Sequence, residues 1–258
     1  MNDSGRLRKI ENILKKARND NSVSFSVQHV IVTGAAELEH DDESLPPPAF
    51  GATLVSPPDH PFRVFVGSVS DAMYMSALKD HNIVAILNVA YAQCIESQRI
   101  MKMSTESNSQ WHKVEFSQTW YKKNLNNPNF MYLGISAEDH PRYKIRKHFD
   151  ECLEFIDEVG SRENRGDGPP PGVLVHCMQG YNRSVAICAA WLLRRTKFPL
   201  EEIVGSISTK RPLVLSNRAF IRELIQFDEE LNGDHQKDEI KDHVVQKIFS
   251  LGDIIERL

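Results

Sequence analysis

The stretch Val173 to Ala186 reads VLVHCMQGYNRSVA. Val173-Leu174-Val175 reads as a short apolar strand ending at His176-Cys177, and Ser184 to Arg195 is a helix-forming, mostly apolar run. Between them lies a seven-residue loop, Cys177 to Arg183, that contains Gly180. A strand, a loop and a helix in this order aim consecutive backbone N–H groups and the positive end of a helix at one point. That is an anion cradle sized for phosphate. Cys177 lies at its floor, where the loop amides and the helix terminus favour the thiolate and Ser184 can donate a further hydrogen bond. Arg183 adds a planar fork suited to two phosphate oxygens.

A cysteine and an arginine at fixed spacing recur by chance in many chains of this length. His176, Gly180 and Ser184 at fixed offsets, between an apolar strand and an amphipathic helix, make this match far rarer. HCMQGYNRS resembles the HCxxGxxRS signature of cysteine-dependent protein phosphatases. With Tyr132-Leu133-Gly134-Ile135 upstream and Lys210-Arg211-Pro212 then Asn217 downstream, the chain is similar to the small atypical dual-specificity phosphatases over roughly residues 60–232.

The resemblance implies that Cys177 is the nucleophile, with Arg183 and the loop from Met178 through Gln179, Gly180, Tyr181 and Asn182 binding phosphate. It implies that Ser184 assists departure of the thiolate, and that His176 orients the loop rather than acting as a base. It implies a general acid on a loop after a strand, and the matching residue in YLGISAED is Asp139. Geometry independently favours Asp139. Phe130–Ile135, a helix from about Ile145 and Val173–Val175 form a strand–helix–strand unit, whose right-handed crossover sets both strand ends at one sheet edge. Glu138 remains the alternative acid, and Asp139 can also be read as a solvated loop carboxylate.

Outward from this loop, Phe65-Val66-Gly67 reads as a strand and turn, followed by a helix from about Ser70 and a buried strand at Ile83–Leu87. Residues 91–129 read as a polar, irregular, exposed loop, with Trp111, Trp120 and Tyr121 as anchors. Further helices start near Leu200 and Asn217. Helical patterns alternating with short buried strands indicate an α/β fold whose central, mainly parallel, twisted sheet is flanked by helices.

Residues 1–59 read as an arm. Residues 1–20 carry six basic and three acidic side chains with Leu7, Ile10, Leu14 and Ala17 at helical spacing, a basic amphipathic helix expected to pack on the domain. Five acids fall between Glu37 and Glu43, and six of the 13 prolines between Pro46 and Pro61, so the catalytic domain is set at 60–232. Residues 233–258 read as an extension with a surface helix over about Gln236 to Leu251.

The chain has 258 residues and a net charge of −4, which argues against holding nucleic acid by phosphate neutralisation. The longest apolar run, the nine residues Val185 to Leu193, is too short to span a membrane. Four cysteines (Cys94, Cys152, Cys177, Cys188) without paired spacing fit neither a disulfide framework nor a zinc site, so a reducing compartment, cytosol or nucleus, is expected. No metal or cofactor is expected.

The resemblance implies metal-free hydrolysis of phosphotyrosine and phosphoserine or phosphothreonine in proteins, such as a kinase activation loop, through a cysteinyl-phosphate. The alternatives are an RNA 5′-triphosphatase, a phosphoinositide phosphatase or a phosphoprotein-binding module without turnover. Arg183 is the one cation of the loop, which favours a phosphoprotein over a multiply phosphorylated lipid headgroup.

Overall fold

In the computed structural model, residues 3–20, 51–103, 110–161 and 169–232 are described. The strand expected at 173–175 is β5 (Gly172–His176), buried along its whole length. β2 (Arg63–Gly67) and β3 (Ile83–Asn88) flank it in parallel, with Phe65 and Ile86 opposite Leu174 and with Gly67 and Asn88 opposite His176. β4 (Met131–Gly134) lies parallel outside β3, and β1 (Thr53–Leu54) antiparallel outside β2. The five-stranded order is β1-β2-β5-β3-β4. The fold is therefore the expected α/β class with a mostly parallel sheet.

Both faces of the central strands are apolar because both are covered. Val64, Val66, Ala85, Leu87, Val173 and Val175 share one core with α7 (Phe149–Ser161), α8 (Arg183–Thr196), α9 (Leu200–Lys210) and α10 (Arg218–Asn232). Phe65, Ile86 and Leu174 face the other way, onto Ala72 of α2 (Val69–Met73), Leu78 of α3 (Met75–Asp80) and Tyr121 of α6 (Gln118–Asn124). β3 lies between β4 and β5, so the expected strand–helix–strand unit skips one strand, yet all four parallel strands end at one edge. Ligand crevices form at that edge.

Several expectations are corrected. Residues 91–129 are largely helical: α4 (Tyr91–Met103), α5 (Gln110–Lys113) and α6. Their buried anchors Cys94, Val114, Phe116 and Tyr121 are scattered among polar residues, so no continuous 3.6-residue stripe marks the helices in the sequence. Ser117 caps α6 by accepting from Trp120 N at 3.2 Å. The helix expected from about Ser70 starts at Val69 with Ser68 at its cap, and the Asp71 carboxylate reaches back to accept from Ser68 N at 2.7 Å. The sheet begins at Thr53, ahead of the boundary drawn at residue 60, because β1 pairs with β2.

α1 (Asp3–Asp20) forms and buries Ile10 and Leu14 in the core shared with α9 and α10. The acidic and proline-rich part of the arm up to residue 50 and the C-terminal segment from residue 233 lie outside the described residues.

Candidate active site

The loop from Cys177 to Arg183 leaves β5 and enters α8, with the 67–69 turn of β2 and α2 beneath it. Cys177 N donates to Gly67 O at 3.4 Å and Val69 N donates to Met178 O at 3.2 Å, so the loop floor is pinned to a neighbouring strand end. Gly180 sits at φ +73°, the left-handed region in which glycine avoids a side-chain clash. That turn directs Gly180 N at Cys177 Sγ, 3.2 Å away, and Ser184 Oγ lies 3.4 Å from the same sulfur. Cys177 is 2% exposed.

Burial alone would raise the Cys177 pKa. The Arg183 charge and hydrogen bonds from Ser184 and Gly180 outweigh it, and the thiol is held below its usual value. The other three cysteines lack those donors. Burial pushes Cys94 up to about 12 and lifts Cys152 and Cys188 above the usual thiol range. Of the four thiols only that of Cys177 is held below its usual value, the condition under which a thiolate becomes available.

Arg183, 4% exposed, begins α8 and donates from Nη1 to Ala137 O at 3.0 Å. Its Nε is buried without a partner among the described residues. Through Ala137 the same side chain ties the loop to the segment that carries the candidate acid. Asp139 is exposed and meets the loop: Asn182 Nδ2 donates to Oδ2 at 2.9 Å, and Asn217 Nδ2 donates to Oδ1 at 3.0 Å. Glu138 is exposed and has no such bond to the loop among the described residues.

His176 is fully buried, with Nδ1 3.3 Å from Cys177 O and Nε2 unpartnered among the described residues. Burial, with the nearby Arg183 charge, pushes its pKa down to about 4, so the ring is neutral at ordinary pH and supplies no positive charge to the thiolate. Met178 is half-buried with Sδ 3.6 Å from Cys94 Sγ, Gln179 is exposed, and Tyr181 is half-buried with its carbonyl accepting from Leu215 N at 2.8 Å.

The sequence left three contributors without a role. Asn217 holds Asp139 and also donates to His140 O at 3.3 Å. Arg211, at the end of α9, donates to the loop carbonyls Gly180 O and Gln179 O, and Asp71 of α2 holds Gly51, whose carbonyl accepts from Arg211. Each is distant from Cys177 in the chain, so only the fold brings it near.

A buried low-pKa thiol, an oxyanion cradle and a carboxylate at one sheet edge can perform nucleophilic displacement at phosphorus with protonation of the leaving oxygen. A family model described as the dual specificity phosphatase catalytic domain matches residues 64–230. The chain belongs to the dual specificity phosphatase family. A probable dual specificity protein phosphatase of Dictyostelium discoideum is 36% identical over 114 residues, 44% of this chain and 25% of that protein. A second from the same organism is 29% identical over 172 residues, 66% of this chain and 63% of that one. Dual specificity protein phosphatase 1 of Homo sapiens is 30% identical over 107 residues, 42% of this chain and 27% of the human protein. This dual specificity phosphatase chain thus spans about a quarter of two of these relatives and under two thirds of the other. A solved mouse putative dual specificity phosphatase complexed with zinc tungstate superposes with TM-score 0.50 at 19% identity, covering 78% of this chain and 100% of that one.

Proposed function

We propose that the protein hydrolyses phosphotyrosine and phosphoserine or phosphothreonine in protein substrates, without a metal, through a cysteinyl-phosphate. The observation that carries this reading is the convergence on Cys177 Sγ of Gly180 N and Ser184 Oγ beside the buried Arg183, which makes this thiol alone acidic. In the first step Sγ attacks phosphorus, the P–O ester bond breaks, and Asp139 gives its proton to the departing oxygen. In the second, water attacks phosphorus, Asp139 takes a proton from it, and the S–P bond breaks to return the thiolate. Ser184 Oγ and Gly180 N stabilise that leaving thiolate. Arg183 and the loop amides bind the equatorial oxygens through both steps.

The loop contributes one cation, Arg183, among the neutral Met178, Gln179, Tyr181 and Asn182. A single phosphate on a protein side chain matches this charge better than a headgroup bearing several. A thiolate nucleophile suits a reducing compartment, so cytosol or nucleus is its proposed place.

The test is phosphate release from a peptide bearing both phosphothreonine and phosphotyrosine, with a chelator present, for the native protein and Cys177→Ser. Release from both residues that vanishes in the variant is expected. Release that survives in Cys177→Ser, or that stops with chelator, overturns the mechanism; activity on phosphoinositides or triphosphorylated RNA alone overturns the substrate class.

A further inference from the structure

The thiolate-facing donor of the loop is the N–H of Gly180, and the peptide unit that contains it also contains the carbonyl of Gln179. In a planar trans peptide these two groups point to opposite sides. Gly180 N lies 3.2 Å from Cys177 Sγ, and on the other side Gln179 O accepts from Arg211 Nη2 at 3.4 Å. The next carbonyl, Gly180 O, accepts from Arg211 Nε at 2.8 Å. One guanidinium therefore grips two successive carbonyls at the point where the loop turns toward the nucleophile. A cation on a peptide carbonyl also polarises the N–H at its far end.

Arg211 is itself held. Its Nη1 donates to Gly51 O at 2.8 Å and lies 3.4 Å from Thr53 Oγ1, so the fork faces acceptors on all its sides. Gly51 N in turn donates to Asp71 Oδ1 at 2.7 Å, while Asp71 Oδ2 takes Ser68 N at 2.7 Å and Ser68 Oγ at 2.8 Å. Asp71 is 5% exposed. The chain of contacts runs from Asp71 to Gly51, to Arg211, to the Gln179–Gly180 peptide and to the sulfur. Gly51 and Thr53 precede the segment matched by the family domain, 64–230.

We propose that Arg211 is a positioning residue for the nucleophile: it fixes the Gln179–Gly180 peptide so that Gly180 N stays aimed at Cys177, and residues 51–53 with Asp71 seat it. The inference rests on the reading of Cys177 as the reactive thiolate. With its guanidinium engaged by loop and strand, Arg211 serves here to shape the loop. Lysine cannot replace it, because an ammonium is a compact point charge on a flexible stem and cannot span carbonyls on two sides.

The test is the pH dependence of Cys177 alkylation by iodoacetamide, read by mass spectrometry of the peptide that carries it. It compares the full-length native protein with Arg211→Lys, Arg211→Gln and Asp71→Asn. In both Arg211 variants the midpoint should rise by about half to one pH unit, so that modification at a pH below the native midpoint slows about three- to tenfold. The rate on the alkaline plateau should be unchanged. Asp71→Asn, which keeps Arg211 and its charge, should move the midpoint the same way by less. It decides the matter if either Arg211 variant fails to fold.

A native midpoint restored by Arg211→Lys would show that charge alone acts, and unmoved midpoints in the folded variants would remove the positioning role. Either overturns the proposal. Alkylation needs no substrate. An ordinary cysteine midpoint in the native protein would instead overturn the reading of Cys177, and an acidic midpoint without phosphate release would overturn the proposed function while leaving Arg211 its role.

Discussion

Asn182, in the loop that carries Cys177, donates to Asp139 of the segment that follows β4, Nδ2 to Oδ2 at 2.9 Å. Asn182 Oδ1 accepts in turn from Asn217 N at 3.2 Å, and Asn217 Nδ2 takes the other oxygen of the same carboxylate. Acid, loop and the start of α10 are thus linked by two amide side chains. An exposed carboxylate that would otherwise sample many rotamers is held against the loop by two amides, as the proposed role of Asp139 as general acid would need.

Asp139→Asn should cut kcat on a phosphothreonine peptide by on the order of a hundred- to a thousandfold. The loss on p-nitrophenyl phosphate should be far smaller, because a nitrophenolate leaves without a proton whereas an alkoxide does not. The alkaline limb of the pH–rate profile should also disappear. Steady-state rates on the two substrates check this, and equal losses on both, with the alkaline limb intact, would move the role to Glu138 or another group.

Asn182→Ala removes one of the two amides and leaves that of Asn217. A hydrogen bond near 1 kcal/mol corresponds to about a fivefold loss in kcat on the phosphothreonine substrate. Inhibition by vanadate, which reads the cradle and not the acid, should change little. A weakened vanadate affinity with kcat intact would instead make Asn182 a phosphate ligand.

The loop, its strand and its helix were legible because their signal is local: an apolar triplet, seven loop residues and a helical run lie within VLVHCMQGYNRSVA. The meeting of Asp139 with this loop was legible from topology, since parallel strands deliver their ends to one edge. Asp71, Arg211 and the clamp role of Asn217 were not, because a carboxylate at a helix start or an arginine after a helix looks like any solvated charge until the fold places it. α4 to α6 were misread for a related reason. Gln98, a polar residue, is 7% exposed there, and Ile100 at 55% and Met103 at 74% face outward, inverting the pattern by which a buried helix face is recognised.

His176 should make stability pH-dependent between about pH 6.5 and about 4. Burial holds the folded pKa near 4 while the unfolded chain binds a proton near 6.5, so the unfolded state carries more protons across that window. Stability therefore rises with pH through it and is lost as the pH falls, by roughly 2–4 kcal/mol for this one group. Urea unfolding at pH 7 and pH 5, for the native protein and His176→Asn, measures it. The variant should lose much of the pH slope, and an identical slope would assign the effect to other groups.

Gly180→Ala should damage anion binding more than folding. A Cβ there would overlap Arg211 Nη2 and come within 2.7 Å of Gly67 O, at a backbone conformation of φ +73° that alanine resists. The loop must then shift, carrying Gly180 N away from Cys177. Left-handed backbone strain costs about 1–2 kcal/mol, before any clash. Vanadate affinity should fall at least tenfold while the fold persists in circular dichroism, and retained affinity would mean that the loop tolerates the shift.

Arg6 decides whether α1 is part of the domain or a loose appendage. Its guanidinium binds Glu201 at 3.1 Å and pairs with Asp228, and the side chains are 10%, 10% and 6% exposed. Burial pushes the Glu201 pKa up, but the hydrogen bond and charge of Arg6 outweigh it and hold the carboxyl below its usual range. Arg6→Ala leaves buried carboxylates without their cation, at a cost of about 3–5 kcal/mol, most of which the uncharged set Arg6→Met, Glu201→Gln, Asp228→Asn should restore. The Glu201 contribution is present above the ordinary carboxylate pKa and is lost as pH falls through the depressed one, so the deficit of Arg6→Ala should narrow in acid. Urea midpoints at pH 7 and pH 4 read both effects. A deficit under about 1 kcal/mol at pH 7 would mean that the ion cluster behaves as an exposed pair and that the other contacts of α1, Ile10 and Leu14 in the core among them, hold the helix in place.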